Sequence, residues 1–245
     1  MKAVILAAGM GTRLWPVTKD LPKGLIEIDG KSILERSLEN LMLNGITEVI
    51  IVIGHCENLV IAKIGEKYNN MAIRYVYNGD YPRTGSMYSF SKTKSLINED
   101  ILLLESDILY ESSAIKRLIE SKHKNVILVS NLLLSGDDVY VVITDNLQLL
   151  NLGKNISEKD KQMAVGALVG ISKFSKEFLA KVFETADEDY AKNELNYHYE
   201  ECVLKTSRIA HPVYVEMFEG LNWIEIDNEQ DLKRAIKDIY PKIYK

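Results

Sequence analysis

The sequence predicts an α/β fold, a mixed and mainly parallel sheet flanked by helices, and three observations carry that reading. Short apolar runs, KAVILAA, EVIIVIGH, IRYVYN and DILLLESDIL, alternate with stretches of helical pattern, SILERSLENLMLNG, ENLVIAKIGEKY and SMYSFSKTKSL. The first runs are continuously hydrophobic, as strands covered on both faces must be. After residue 125 the spacing shortens, and NVILVSN, DDVYVVIT, LQLLNL and GALVGISKF are joined by short polar connections that suit a smaller antiparallel subregion.

Taken in order, AVILAA follows a single lysine and runs straight into glycines, so it is too short for a membrane span and reads as a buried first strand. The helix–strand alternation then continues to residue 125. Beyond the antiparallel runs, KEFLAKVFETA and NELNYHYEECVLKTS have helical patterns, VYVEMF and WIEID read as strands, and NEQDLKRAIKDIY closes the chain as an amphipathic helix. In an open α/β sheet, ligands bind outside the carboxyl ends of the strands. The loops after residues 8, 54, 78 and 106 are therefore expected to converge.

Composition excludes several classes. With 245 residues and 47% hydrophobic content, the chain can bury the core of one globular unit, residues 1–245. A net charge of −5 with interspersed signs offers no basic surface for a nucleic acid polymer. Cys56 and Cys202 stand far apart, which suits a reduced, cytoplasmic protein without membrane insertion. His55, His123, His198 and His211 lack metal-ligand spacing and are assigned no catalytic role, and no serine sits in a G-x-S-x-G elbow.

The first strand ends in AAGMGTRLWPVTKDLPKGL. A dinucleotide fingerprint would need a third glycine where Leu14 stands, and a Walker loop would need G-x-x-x-x-G-K. What remains is Gly9 and Gly11 for close backbone approach, the hydroxyl of Thr12, and two cations, Arg13 and Lys23, separated by a path that prolines restrict. Such a loop suits a polyphosphate.

The same stretch resembles the G-x-G-T-R-x-x-P-x-T-x-x-x-P-K signature of the nucleoside-triphosphate transferases, a Rossmann-like nucleotidyltransferase fold. The resemblance implies that residues 1–125 bind nucleotide and 126–245 bind the acceptor. It places Leu6, Ala7 and Ala8 beneath base and ribose, and Gly9, Met10, Gly11 and Thr12 around the triphosphate. Gly85 and Ser86, in TGSMYSF, complete the nucleotide site. Arg13 would meet the leaving pyrophosphate and Lys23 the phosphates around the reacting phosphorus. Asp107 in LLLESDILY and Asp227 in WIEIDN each read alone as a helix cap, but with the loop they resemble the family's two ligands for Mg2+. Strand alternation is taken to turn Glu105 and Glu225 to the other side.

Further stretches, IGHCENL, SGDDVYV, VGALVGISK and EIDNEQDLKRAIKDIYPKI, resemble 2-aminoethylphosphonate cytidylyltransferases, and chain length also resembles the phosphocholine enzymes. The implied substrates are CTP and a small phosphonate or phosphate amine, with a fused or neighbouring transaminase in some relatives. Oligomeric state is left open. Lys154 would hold the acceptor's anionic end, and Asp138, Glu200 and Glu201 are candidates for the amine. A choline head would instead call for rings from Tyr88, Tyr197, Tyr199 or Trp223. Ala167 departs from relatives that carry an acid in this stretch.

Overall fold

The apolar start of the chain becomes the centre of the sheet. In the computed structural model, which describes residues 1–133 and 136–244, Ala3, Val4 and Ile5 of β1 (Lys2–Ala7) are fully buried. Two short strands, β2 (Glu27–Ile28) and β3 (Lys31–Ser32), form a hairpin before α1 (Ile33–Leu43). Ser32 and Glu35 make a reciprocal capping box that starts this helix. The alternation then runs β4 (Glu48–Ile53), α2 (Glu57–Ile64), β5 (Lys67–Tyr68), β6 (Met71–Tyr77), α3 (Ser86–Ser91), β7 (Ile101–Glu105), β8 (Ile108–Tyr110) and α4 (Ser113–Glu120). Strand β1 pairs in parallel with β4 on one side and β7 on the other, and β4 pairs in parallel with β6.

The second half adds β9 (Val126–Ser130), β10 (Tyr140–Ile143), β11 (Leu149–Gly153), α5 (Glu158–Met163) and the long β12 (Gly166–Phe174). Strand β12 runs antiparallel to β7, β9 and β10, and β10 runs antiparallel to β11. Helices α6 (Lys176–Tyr190) and α7 (Tyr199–Ile209) follow, then β13 (Tyr214–Met217), β14 (Trp223–Glu225), α8 (Glu229–Arg234) and α9 (Tyr240–Tyr244), the last two joined by a π-helical turn. Strand β14 pairs antiparallel with β8, and Ile226 N donates to Asp107 O at 2.9 Å.

Strand alternation divides the core between the two faces. Ala3, Ile5, Val49 and Ile51 pack with Leu34, Leu38, Ile115 and Leu118 of α1 and α4, whereas Val4, Ile50 and Val52 pack with Phe178, Val182 and Val203 of α6 and α7. A third cluster joins Leu14 of the opening loop to Ile26, Ile33, Ile224, Ile226 and Tyr240. Arg36 packs over the rings of both Tyr240 and Tyr244, at 4.8 and 4.6 Å from their centroids, which straps the closing helix to α1.

One sequence expectation fails. NELNY is not helical, and α7 starts only at Tyr199, where His198 and Glu201 form its capping box. Among the described residues, no helix is long and apolar enough to cross a membrane.

Candidate active site

A cavity of about 440 Å³ opens at the carboxyl ends of β1 and β7. The loops after residues 8, 78 and 106 supply lining residues, among them Ala8, Tyr81, Thr84 and Ser106. The loop after residue 54 stands behind them instead, with His55 N donating to Ala8 O at 3.1 Å. Of the residues expected to bind nucleotide, Leu6, Ala7, Ala8, Gly9, Gly11, Thr12, Gly85 and Ser86 all line the cavity, while Met10 does not.

Glycine is required at two of these positions for reasons of space. Gly11 has φ +60°, and a Cβ there would lie 2.6 Å from Cγ of Lys23. The lysine stem therefore runs directly past the loop backbone. A Cβ on Gly85 would lie 1.9 Å from the Tyr197 carbonyl oxygen, because Gly85 N donates to Leu195 O and Met87 N to Tyr197 O. That contact makes residues 195–198 a wall of the cavity, where Asn196 and His198 join its lining.

The two loop cations meet on the buried Asp227, and each has a second, more accessible acidic partner. Lys23 Nζ lies 2.9 Å from Asp107 Oδ2 and 2.5 Å from Asp227 Oδ1. Arg13 contacts Asp137 with one nitrogen and Asp227 Oδ2, at 2.6 Å, with the other. Lys154 Nζ stands 3.8 Å from the same Asp227 oxygen. Burial pulls the Lys23 ammonium down, but Asp107 and Asp227 outweigh it and hold its pKa above the ordinary lysine value. Burial pushes Asp227 up, yet Lys23, Arg13 and Lys154 together hold it below the ordinary aspartate value.

The floor of the cavity is acidic. Oxygens of Glu105, Asp107 and Glu225 all lie within 4.8 Å of one another. The expected orientation of Glu105 and Glu225 is thus corrected: a period of two puts residues 105 and 107, and 225 and 227, on the same side of their strands. Gly170, at φ +81° in an irregularity of β12, leaves room for the Glu105 carboxylate, which a Cβ would approach to 2.8 Å. Burial, then Glu200 and Asp107, push Glu105 up to about 8. Burial, then Glu105, Asp107 and Asp227, push Glu225 up to about 10. Glu200 is raised as well, chiefly by burial. The Tyr199 hydroxyl is buried beside the Glu105 carboxylate.

Carboxylates that crowd each other at such a cost fit a cation, and an all-oxygen donor set fits a hard one such as Mg2+. Asp107 belongs both to this trio and to the Lys23 pair, whereas Asp227 lies on the side of the cations.

The four expected acceptor residues divide evenly. Lys154 and Glu200 line the cavity, but Asp138 is buried outside it, where its Oδ1 accepts from Leu133 N at 2.8 Å. Glu201 is also outside the site, an exposed residue that accepts from His198 N as part of the α7 cap. None of Tyr88, Tyr197, Tyr199 and Trp223 lines the cavity, so the ring cage is not assembled. Tyr199 and Trp223 are core residues, 2% and 3% exposed.

Over residues 2–239 the sequence matches the nucleotidyl transferase family. The chain belongs to that family. As a member it is an enzyme that transfers nucleotides. It is 28% identical to the CTP:phosphoglutamine cytidylyltransferase of Campylobacter jejuni, over 97% of this chain and 100% of that one. It is 29% identical to the choline-phosphate cytidylyltransferase of Streptococcus pneumoniae, over 96% of both chains. A CMP-5'-(3-aminopropyl)phosphonate synthase from Streptomyces rubellomurinus is 28% identical over 96% of this chain, which spans 38% of that longer protein. The nucleotidyltransferase fold recurs in solved structures. The inositol-1-phosphate CTP transferase from T. maritima superposes with a TM-score of 0.81, at 23% identity over 99% of this chain and 95% of that one. The S. pneumoniae CTP:phosphocholine cytidylyltransferase gives 0.77, at 23% identity over 96% and 97%.

Proposed function

We propose that the protein is a magnesium-dependent cytidylyltransferase that moves CMP from CTP to a small zwitterionic acceptor, 2-aminoethylphosphonate first among them. The carrying observation is the charge layout of the cavity: Lys154 stands beside a floor of Glu105, Glu200 and Glu225, and Arg13 and Lys23 of the opening loop line the same cavity. An acceptor with one anionic and one cationic end matches the first pair, and a triphosphate matches the second. The choice of CTP is supported by relatives named as cytidylyltransferases or as a CMP-phosphonate synthase.

The chemistry follows from positioning. A phosphonate oxygen, already ionised near neutral pH, attacks the α-phosphorus of CTP in line and pyrophosphate leaves, so no general base is needed. Lys23 stabilises charge on the five-coordinate phosphorus, Arg13 accompanies the departing pyrophosphate, and Lys154 orients the attacking group. Gly9 to Thr12 present backbone amides to the phosphates, and Leu6, Ala7, Ala8, Gly85 and Ser86 receive the nucleoside. Asp107 and Asp227 would hold the Mg2+, with Glu105 and Glu225 beside them; the ion supplies charge neutralisation on the phosphates. Glu200 takes the amine, in place of Asp138 and Glu201.

Phosphocholine is the second reading, favoured by the full-length relation to the choline-phosphate enzyme and disfavoured by the missing ring cage. Pyrophosphate release separates them. Purified protein with magnesium is given CTP, UTP, GTP or ATP against 2-aminoethylphosphonate, phosphocholine and sugar 1-phosphates. Release with CTP and 2-aminoethylphosphonate alone is the expected result. Release with phosphocholine selects the second reading, sugar-1-phosphate activity overturns both, and nucleotide binding without release identifies a sensing module.

A further inference from the structure

We infer that Lys23 is the built-in counter-ion of the metal site, so that metal and nucleotide enter by an exchange of partners within the protein. The inference rests on the proposed magnesium-dependent transfer. Its basis is the position of the Lys23 ammonium, which bridges Asp107 Oδ2 at 2.9 Å and Asp227 Oδ1 at 2.5 Å. A cation bound by those two carboxylates needs the same space and the same lone pairs. Asp227 is further engaged by Arg13 at 2.6 Å and approached by Lys154 at 3.8 Å.

The lysine has somewhere else to go. Its stem runs along the backbone of Gly11, within the loop whose amides and cations suit a triphosphate. Side-chain rotation is enough to carry the ammonium from the carboxylates to phosphates seated in that loop, without moving either strand. Arg13 makes the parallel move, from Asp227 and Asp137 to the phosphates. A triphosphate therefore draws off the cations that neutralise Asp107 and Asp227. Those carboxylates are then free to take a divalent ion, while the same ion alone must first displace an ammonium held in place by the fold.

Binding of Mn2+, followed by the loss of its free electron paramagnetic resonance signal, tests this without any turnover. In the absence of nucleotide, Lys23→Met should bind Mn2+ on the order of 10- to 100-fold tighter than the unsubstituted protein, the usual range for coupled sites. Mn2+ alone should also raise its melting temperature more than that of the unsubstituted protein. Arg13→Gln, at a half-exposed side chain and so safe for folding, should shift Mn2+ affinity in the same direction by a smaller factor. Equal affinity in all three proteins overturns the exchange but leaves the metal assignment standing. No protein-bound Mn2+ in any of them, with or without CTP, overturns the exchange and the metal assignment together.

Discussion

The two sides of the cavity bury carboxylates to opposite effect. On the loop side Asp227, nearly inaccessible, is held below the ordinary aspartate range because Lys23, Arg13 and Lys154 reach it. On the floor Glu105 and Glu225 are driven up to about 8 and about 10, because the nearest charges are other acids. Burial opposes ionisation on both sides, so burial does not explain the difference. Access to a cation does. The loop side is self-sufficient, and the floor is built to be completed by a ligand.

The sharpest way to break the contrast is to take the cation away. Lys23→Ala should lower turnover by about 10²–10³, the usual cost of removing a preorganised donor, in a protein that still folds. Near-normal turnover in a folded variant would remove Lys23 from the chemistry. Gly85→Ala attacks the wall instead: a Cβ 1.9 Å from the Tyr197 carbonyl forces residues 195–198 away. The expected loss is about 1–3 kcal/mol of stability, read by denaturant unfolding, with weaker nucleotide binding alongside.

The floor itself can be titrated. Folded Glu105 and Glu225 keep their protons above 4.5, the ordinary glutamate value at which the unfolded chain releases them. Their folded state binds more protons than the unfolded state, so stability is lost as pH rises from 4.5 through about 8 and on toward about 10. Glu225→Gln should flatten that decline in melting temperature, and added Mg2+ should flatten it in the unsubstituted protein. A decline that neither change alters would place its origin elsewhere. The smallest effect belongs to Asp137→Ala at the mouth. Both partners of the Arg13–Asp137 pair are substantially exposed, so stability should move by under ~1 kcal/mol. Freeing one nitrogen of Arg13, which Asp227 still holds by the other, should lower the KM for nucleotide by no more than ~5-fold, and a raised KM would show that Asp137 aids binding.

The same contrast explains what the sequence disclosed. The opening loop was legible because its glycines, cations and prolines act over a few residues and have little freedom to do anything else. The alternating strands placed Asp107 and Asp227 correctly at a rim. Glu105 and Glu225 are legible in the same way, since residues two apart on a strand share a face. Asp138 and Glu201 could not be sorted in this way. Each adjoins a lining residue, Val139 or Glu200, and only the path of the chain turns one into a buried backbone partner and the other into a helix cap. Residues 195–198 look helical in isolation, but docking against Gly85 and the capping box at His198 decide otherwise.

Backbone pairing between β8 and β14 carries a last consequence. Glu225 is in register with Ile108, and Ile226 N is bonded to Asp107 O, so the separation of the acidic segments is a rung count on a ladder. It works as a fixed gauge. The opposite wall, residues 195–198, belongs to no strand and is held by the glycine contact and a helix cap. Recasting that wall would reshape one side of the cavity and leave the spacing of the two acidic segments unchanged.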